Sequence, residues 1–240
     1  NTVSIHNDIF LYDMKDSNKK DLAGMQYELH TQDGKVVHIE RKGYLGRVYA
    51  VAGAAACAVS QVLNVDLALL DKALSEYTPE SGRMRILDGI KDSILLDDTY
   101  NAAPKAMKHA LDTLQVVDAR GKKIAILGDM LELGKHTEKV HKDIGKEASQ
   151  AAHTLITVGM RARFIVEGAL NEGMSENNIF QFEDSRSAGK FAESIIQEGD
   201  VVLIKGSQGI RMERVADELL RHPEMKEDLL VRQNDEWRTR

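Results

Sequence analysis

The chain has 240 residues, 42% of them hydrophobic and 29% charged, which excludes a disordered or fibrous polymer and suffices for one large or two modest domains. Lysine and arginine number 32 against 38 acids, a net charge of −6, which argues against a nucleic-acid-wrapping surface and a polybasic membrane anchor. The lone cysteine, Cys57, leaves no internal disulfide; it reads as a buried small hydrophobe, and a cytoplasmic setting fits.

The longest apolar stretch, Val48 to Val59, is too short to span a bilayer, so no transmembrane helix is expected. The chain begins Asn1-Thr2-Val3 with no charged-then-apolar leader, so it is expected to be a fragment without its natural start and without a signal peptide.

Short β-rich pieces come first: Ile9 to Tyr12, Met25 to Thr31 and Val36 to Glu40, the last two separated by Gln32-Asp33-Gly34-Lys35. Asp-Gly between alternating runs signals a tight hairpin, so a small antiparallel sheet is expected. From Arg47 to Leu63 small apolar residues dominate and suit a closely packed helix, while Leu67 to Tyr77 gives a second, amphipathic one. Together they read as a helical hairpin. Thr78-Pro79-Glu80-Ser81-Gly82 is the clearest punctuation, an interdomain linker.

Beyond it, strands alternate with helices, as a parallel α/β sheet requires. Strands are expected at Ile94 to Asp98, Lys123 to Gly128, Thr154 to Gly159, Ile179 to Phe182 and Val201 to Lys205. Helices are expected at Pro104 to Val117, Lys139 to Ala152, Arg161 to Asn171, Ser185 to Gln197 and Ile210 to Leu220, and the charged tail beyond Pro223 as a solvated helix or frayed end. Acids, glycines, Lys and Ser gather at the carboxyl ends of the strands, where open parallel sheets place ligands.

Three segments at that edge carry chemistry. In Asp97-Asp98-Thr99-Tyr100-Asn101-Ala102-Ala103-Pro104 successive side chains alternate across the strand, so only one of the two acids shares a cleft with Asn101. A carboxylate accepts from a ribose diol and Asn both donates and accepts, which suits a nucleoside; the bland reading is a capped turn with Pro104 opening a helix. In Gly128-Asp129-Met130-Leu131-Glu132-Leu133-Gly134 the glycines allow a tight excursion with Asp129 and Glu132 on its rim. His136 and His141 follow, five apart and so not on one helical face; a solvent-exposed helix start is expected there and no metal site. In Lys205-Gly206-Ser207-Gln208-Gly209, amides near the glycines with Lys205 suit a carboxylate or phosphate. GxxxxGK[ST], GxGxxG, GxSxG and paired CxxC are all absent from the sequence, so it holds no recognisable phosphoryl-transfer machinery.

At these residues the chain resembles the Mur ligases, in particular the type that adds D-alanyl-D-alanine to UDP-N-acetylmuramoyl-tripeptide. Ser81-Gly82-Arg83-Met84, the run from Asp97 to Pro104, Ile124 to Gly134 and Lys205 to Glu213 carry the resemblance, which covers Arg83 to Leu220 well and the preceding helices more weakly. It implies a Rossmann-like, mostly parallel carboxyl-terminal domain over residues 82–240, preceded over residues 1–81 by the end of a central α/β ATPase domain. The UDP-binding domain and the P-loop half would lie outside this chain. It also implies an ATP-dependent ligase of cytoplasmic peptidoglycan synthesis acting through an acyl phosphate, its Mg²⁺ bound mainly by the absent part of the central domain. UDP-MurNAc-tripeptide and D-Ala-D-Ala would be the partners of a monomer, and the isolated fragment would be inactive.

By position, Arg83, Asp98 and Asn101 resemble nucleotide-binding residues; Tyr100, Lys205 and Ser207 resemble residues near the amino substrate. No catalytic or metal residue carries over. The chain departs from the family with Ala103 for the second Asn of YNANP, Gln208 for the Arg of KGSRG, and Gly46, Arg47 and Ala50 where a central-domain HNxxN-like signature would stand. Two alternatives remain: a non-catalytic nucleotide- or partner-binding paralogue, and another Mur-like amino-acid ligase, such as a folylpolyglutamate or cyanophycin synthetase relative, which should lack GDMLELG.

Overall fold

The computed structural model describes residues 2–16 and 19–238 and forms two compact units, Asn1–Glu80 and Ser81–Arg240.

In the first unit, β1 (Val3–Asp16), β2 (Lys19–Thr31) and β3 (Val36–Lys42) form an antiparallel sheet in that order. All three strands run beyond the pieces expected from sequence. The expected turn joins β2 to β3: Thr31 N–H donates to Lys35 O at 2.9 Å and Gly34 N–H to Thr31 O at 3.0 Å. Period-two alternation buries Met25, Tyr27 and Leu29 on β2 and Val37 and Ile39 on β3. Helix α1 (Arg47–Val62) meets β1 and β2 and buries the small-residue stripe Ala50, Gly53 and Cys57. Burial raises the Cys57 thiol pKa. Helix α2 (Leu67–Glu76) is capped by Asp66, whose carboxylate accepts from Ala68 N–H at 3.0 Å. The other side of α1 is apolar and exposed, with Val51, Val59 and Val62 all more than half accessible.

The second unit is doubly wound. Among its described residues a six-stranded sheet runs β4-β5-β9-β6-β7-β8, all parallel except β4. The strands are β4 (Arg85–Asp88), β5 (Ile94–Asp98), β6 (Lys123–Gly128), β7 (Thr154–Val158), β8 (Ile179–Phe182) and β9 (Val201–Lys205). Strand β4 was not expected: four residues of Arg-Ile-Leu-Asp offer too little alternation, and its place comes from antiparallel pairing with β5, Ile86 opposite Leu96. The three central strands β5, β9 and β6 are buried on both sides, which is why they read as continuous apolar runs.

Helices α3 (Pro104–Val116), α4 (Thr137–Ala151) and α5 (Arg163–Asn171) pack together on one face of the sheet, and α6 (Ser185–Ile195) with α7 (Glu213–Leu219) on the other. Each buries one stripe; on α3 it is Met107, Ala110, Leu111 and Leu114, at the helical period. Pro104 opens α3 and Asp184 caps α6, accepting from Ser187 N–H at 2.9 Å. The tail contradicts its expected solvation. After short α8 (Lys226–Leu229) and before α9 (Asp235–Arg238), Leu230 is buried and Arg232 donates to Thr99 O at 3.1 Å and Glu213 Oε2 at 2.9 Å. No helix among the described residues is long and apolar enough to cross a membrane.

Candidate functional site

Strand β9, the last in the chain, lies between β5 and β6. The chain leaves β5 and β6 for α3 and α4 on one face but leaves β9 for α7 on the other. Such a reversal opens a crevice at the carboxyl ends of the strands, the usual ligand position of a doubly wound sheet. Three of the segments singled out in sequence end there: Asp97 to Pro104 after β5, Gly128 to Gly134 after β6 and Lys205 to Gly209 after β9.

Register places Asp98 beside Lys205 across β5 and β9. Their charged atoms lie 2.6 Å apart, with Lys205 only 2% exposed and Asp98 8%. Lys205 also donates to Asn101 O at 2.9 Å, so one ammonium ties the strand tip to the loop beyond it. Neighbouring Asp97 has different partners, as alternation along the strand requires. It accepts from Gly82 N–H at 3.1 Å and from Thr99 Oγ1 at 2.6 Å, while Asp98 accepts from Met84 N–H at 3.2 Å. The acid pair thus clasps the backbone on both sides of Arg83. That residue is exposed, and its guanidinium lies 4.0 Å from the centroid of the Tyr100 ring. Asn101 is exposed too, its Oδ1 accepting from Ala102 N–H at 2.8 Å.

Ser207 joins the three loops. Its Oγ accepts from Leu131 N–H at 2.9 Å and reaches Ala102 O at 3.5 Å, and its own N–H donates to Asp129 O at 2.9 Å. The loops can approach only because two positions lack a Cβ. A methyl on Gly206 would sit 3.0 Å from Gly128 Cα and 2.6 Å from Met212 Cγ. Lys205 and Ser207 are therefore buried and committed to protein partners, and Arg83, Tyr100 and Asn101 form the accessible rim.

Two expectations for the β6 loop are corrected. Asp129 is not on the rim but buried, accepting from Ala162 N–H at 2.6 Å with Arg161 at 3.7 Å. His141 is not solvent-exposed but fully buried: its Nε2 accepts from Met130 N–H at 3.0 Å and its Nδ1 donates to Thr137 O at 2.7 Å. This is the neutral tautomer, and burial lowers its pKa. His136 and Glu132 are exposed, as expected. Arg232 was missed altogether; besides Thr99 it donates to Tyr100 O, and the one local hint was an apolar Leu-Leu-Val run in a charged tail. Among the described residues no cluster of three or more His, Cys, Asp or Glu is placed to hold a metal ion.

Burial pushes the Asp97 carboxyl up to about 6, against the opposing pull of its hydrogen bonds from Thr99 and Gly82. A carboxyl raised on folding favours the folded state most below its unfolded pKa, and that contribution disappears as pH rises through the folded value. Wild type is therefore expected to lose about 2–3 kcal/mol relative to Asp97→Asn between pH 4 and 7. Paired urea titrations across that range check this; a constant difference between the two proteins would refute it.

The fold and crevice define the class: a doubly wound α/β domain whose loops meet at a topological switch point. Residues 82–208 match the family described as Mur ligase, glutamate ligase domain, and the chain belongs to that family. The UDP-N-acetylmuramoyl-tripeptide–D-alanyl-D-alanine ligase of Bacillus subtilis (strain 168) is 30% identical over 175 residues, covering 72% of this chain and 37% of the relative. A MurF structure from Acinetobacter baumannii superposes with a TM-score of 0.68 at 26% identity, covering 81% of this chain and 42% of that one. The MurF ligase from Thermotoga maritima in complex with ADP gives 0.67 at 22% identity, covering 88% and 45%. The chain thus spans well under half the length of the curated relative, at 37%.

Proposed function

We propose that the chain is the carboxyl-terminal part of an ATP-dependent ligase of peptidoglycan synthesis that adds D-alanyl-D-alanine to UDP-N-acetylmuramoyl-tripeptide. Residues 1–81 are then the end of the central ATPase domain and residues 82–240 the Rossmann-like domain that meets nucleotide and amino substrate. The observation that carries the reading is the meeting of the three motif loops around Ser207, with Arg83 on the rim above them. The relative from Bacillus subtilis supports this acceptor and dipeptide, and the ADP in the Thermotoga maritima structure supports a nucleotide at this fold. The exposed valines of α1 suit a surface covered by the rest of a larger domain.

The rim fits a nucleotide. Arg83 offers a fork of donors, steadied on an aromatic plate, to phosphate oxygens. Asp98, 8% exposed at the strand tip, suits a ribose hydroxyl with Asn101 beside the nucleotide, while Tyr100 lines the entry for the amino substrate. Lys205 and Ser207 serve that substrate by fixing the wall it meets. ATP with Mg²⁺ would supply the phosphoryl group that converts a carboxylate into a reactive acyl phosphate, the metal being held mainly by protein outside this chain. Closure of the domain over that group would exclude the water that hydrolyses it.

The test is a chimera in which residues 82–240 replace the matching segment of the Bacillus subtilis ligase. Phosphate release dependent on ATP, the tripeptide precursor and D-Ala-D-Ala is expected, and Arg83→Ala should raise the KM for ATP about tenfold or more, by loss of a charge-assisted contact. A folded chimera that works only with a different amine would overturn the dipeptide assignment. An unchanged KM would remove Arg83 from the nucleotide site.

A further inference from the structure

On the α6–α7 face, a groove with a cavity volume of about 390 Å³ is lined by Arg186, Arg211, Arg214 and Arg232 together with residues of the segment from Lys226 to Gln233. Glu213 occupies part of this charge: Arg211 Nε lies 2.5 Å from its Oε1 and Arg232 Nη1 2.9 Å from its Oε2. Lys226 is likewise paired, with Asp217 at 3.0 Å. With Glu218 and Glu227 also in the lining, the groove holds five cations against four carboxylates, a surplus of one positive charge. Arg211 Nη1 is buried and has no hydrogen-bond partner among the described residues. Arg214 is half-buried, and its pKa is lowered by burial and then by the like charges of Arg211 and Arg186. Facing carboxylates, Glu218 and Glu227, lie on the groove wall.

Arg214 thus sits in the field of two like charges, Arg211 and Arg186, opposed by Glu213 and Asp184, while Arg211 itself is paired with Glu213 and lies 5.1 Å from the Trp237 ring centroid. Both Arg211 and Arg232 also hold left-handed backbone, at φ 60° and 61°, a conformation that costs a non-glycine residue about 1 kcal/mol or more. One carboxylate, Glu213, already uses the matched forks, and the spare donors come from three separate side chains. That suits a group with three or four oxygens and a double charge better than a second carboxylate.

We propose that this groove is a binding site for a phosphate-type oxyanion, held between Arg186, Arg211 and Arg214. It is separate from the rim of Arg83, Tyr100 and Asn101, and it does not depend on the ligase reading. The probe is inorganic phosphate, titrated calorimetrically into the 240-residue chain at constant ionic strength. Saturable binding is expected. Arg186→Gln/Arg214→Gln should weaken it by about tenfold or more, since each lost partner removes a charge-assisted hydrogen bond. Glu218→Gln, which removes a facing negative charge, should tighten it. Circular dichroism shows whether each variant is folded; if the double variant is not, Arg186→Gln alone, at an exposed position, carries the test. Absence of saturation, or equal affinity in a folded arginine variant, overturns the site. Succinate binding more tightly than phosphate overturns the oxyanion class.

Discussion

Gly145→Leu is expected to abolish the native packing of residues 81–240. Helices α4 and α5 touch backbone to backbone: a Cβ on Gly145 would fall 2.0 Å from Ile165 O, and one on Gly168 would fall 2.1 Å from Lys142 O. Neither obstacle is a side chain that can rotate away, so the helices must separate and unseat Ile144 and Ile165 from the core. Overpacking costs about 1–3 kcal/mol where neighbours can yield. A backbone collision costs more, out of a total stability of about 5–15 kcal/mol. Even Gly145→Ala should lose about 3 kcal/mol or more in urea unfolding followed by circular dichroism. A wild-type midpoint for Gly145→Ala would mean that the helices have room to spare and that their backbones do not require a glycine there.

Lys205→Met should be nearly as damaging. The substitution keeps much of the side-chain volume but leaves Asp98, 8% exposed, without the ammonium 2.6 Å away, and it frees the Asn101 carbonyl. Breaking a buried pair from one side costs about 3–5 kcal/mol, because the surviving charge is left uncompensated. Lys205→Met/Asp98→Asn should therefore recover most of the loss, giving a strongly non-additive double-mutant cycle in chemical denaturation. Additive single effects would show the pair to be uncoupled. The same logic complicates any kinetic use of Asp98→Ala, which would strand an ammonium inside the domain and disturb the loop that carries Tyr100 and Asn101.

Much of the architecture was legible because local signals were strong. Strands β5, β6 and β9 are apolar runs ending in polar residues, Pro104 and Asp184 mark helix starts, and Asp33-Gly34 marks the hairpin. At the crevice, Asp98, Asn101, Lys205 and Ser207 stood out by motif and were found together. What escaped was fixed by distant partners. Strand β4 exists through its pairing with β5, Asp129 is drawn inward by Ala162, and Arg232 finds its acceptors on residues 99, 100 and 213. Alternation and helical period carry no record of contacts that span tens of residues. The same limit explains Lys205: its type suggested an anion receptor, and only the register with Asp98 reveals an internal tie.

The central place of β9 also governs assembly. On a ribosome, β5 and β6 emerge long before the strand that separates them, so neither has its permanent neighbour on that side until residue 205 has left the exit tunnel. High contact order of this kind slows folding and prolongs the exposure of apolar edges. Any truncation upstream of Val201 removes the keystone of the sheet and leaves two halves with an open seam, a species marked for aggregation or proteolysis.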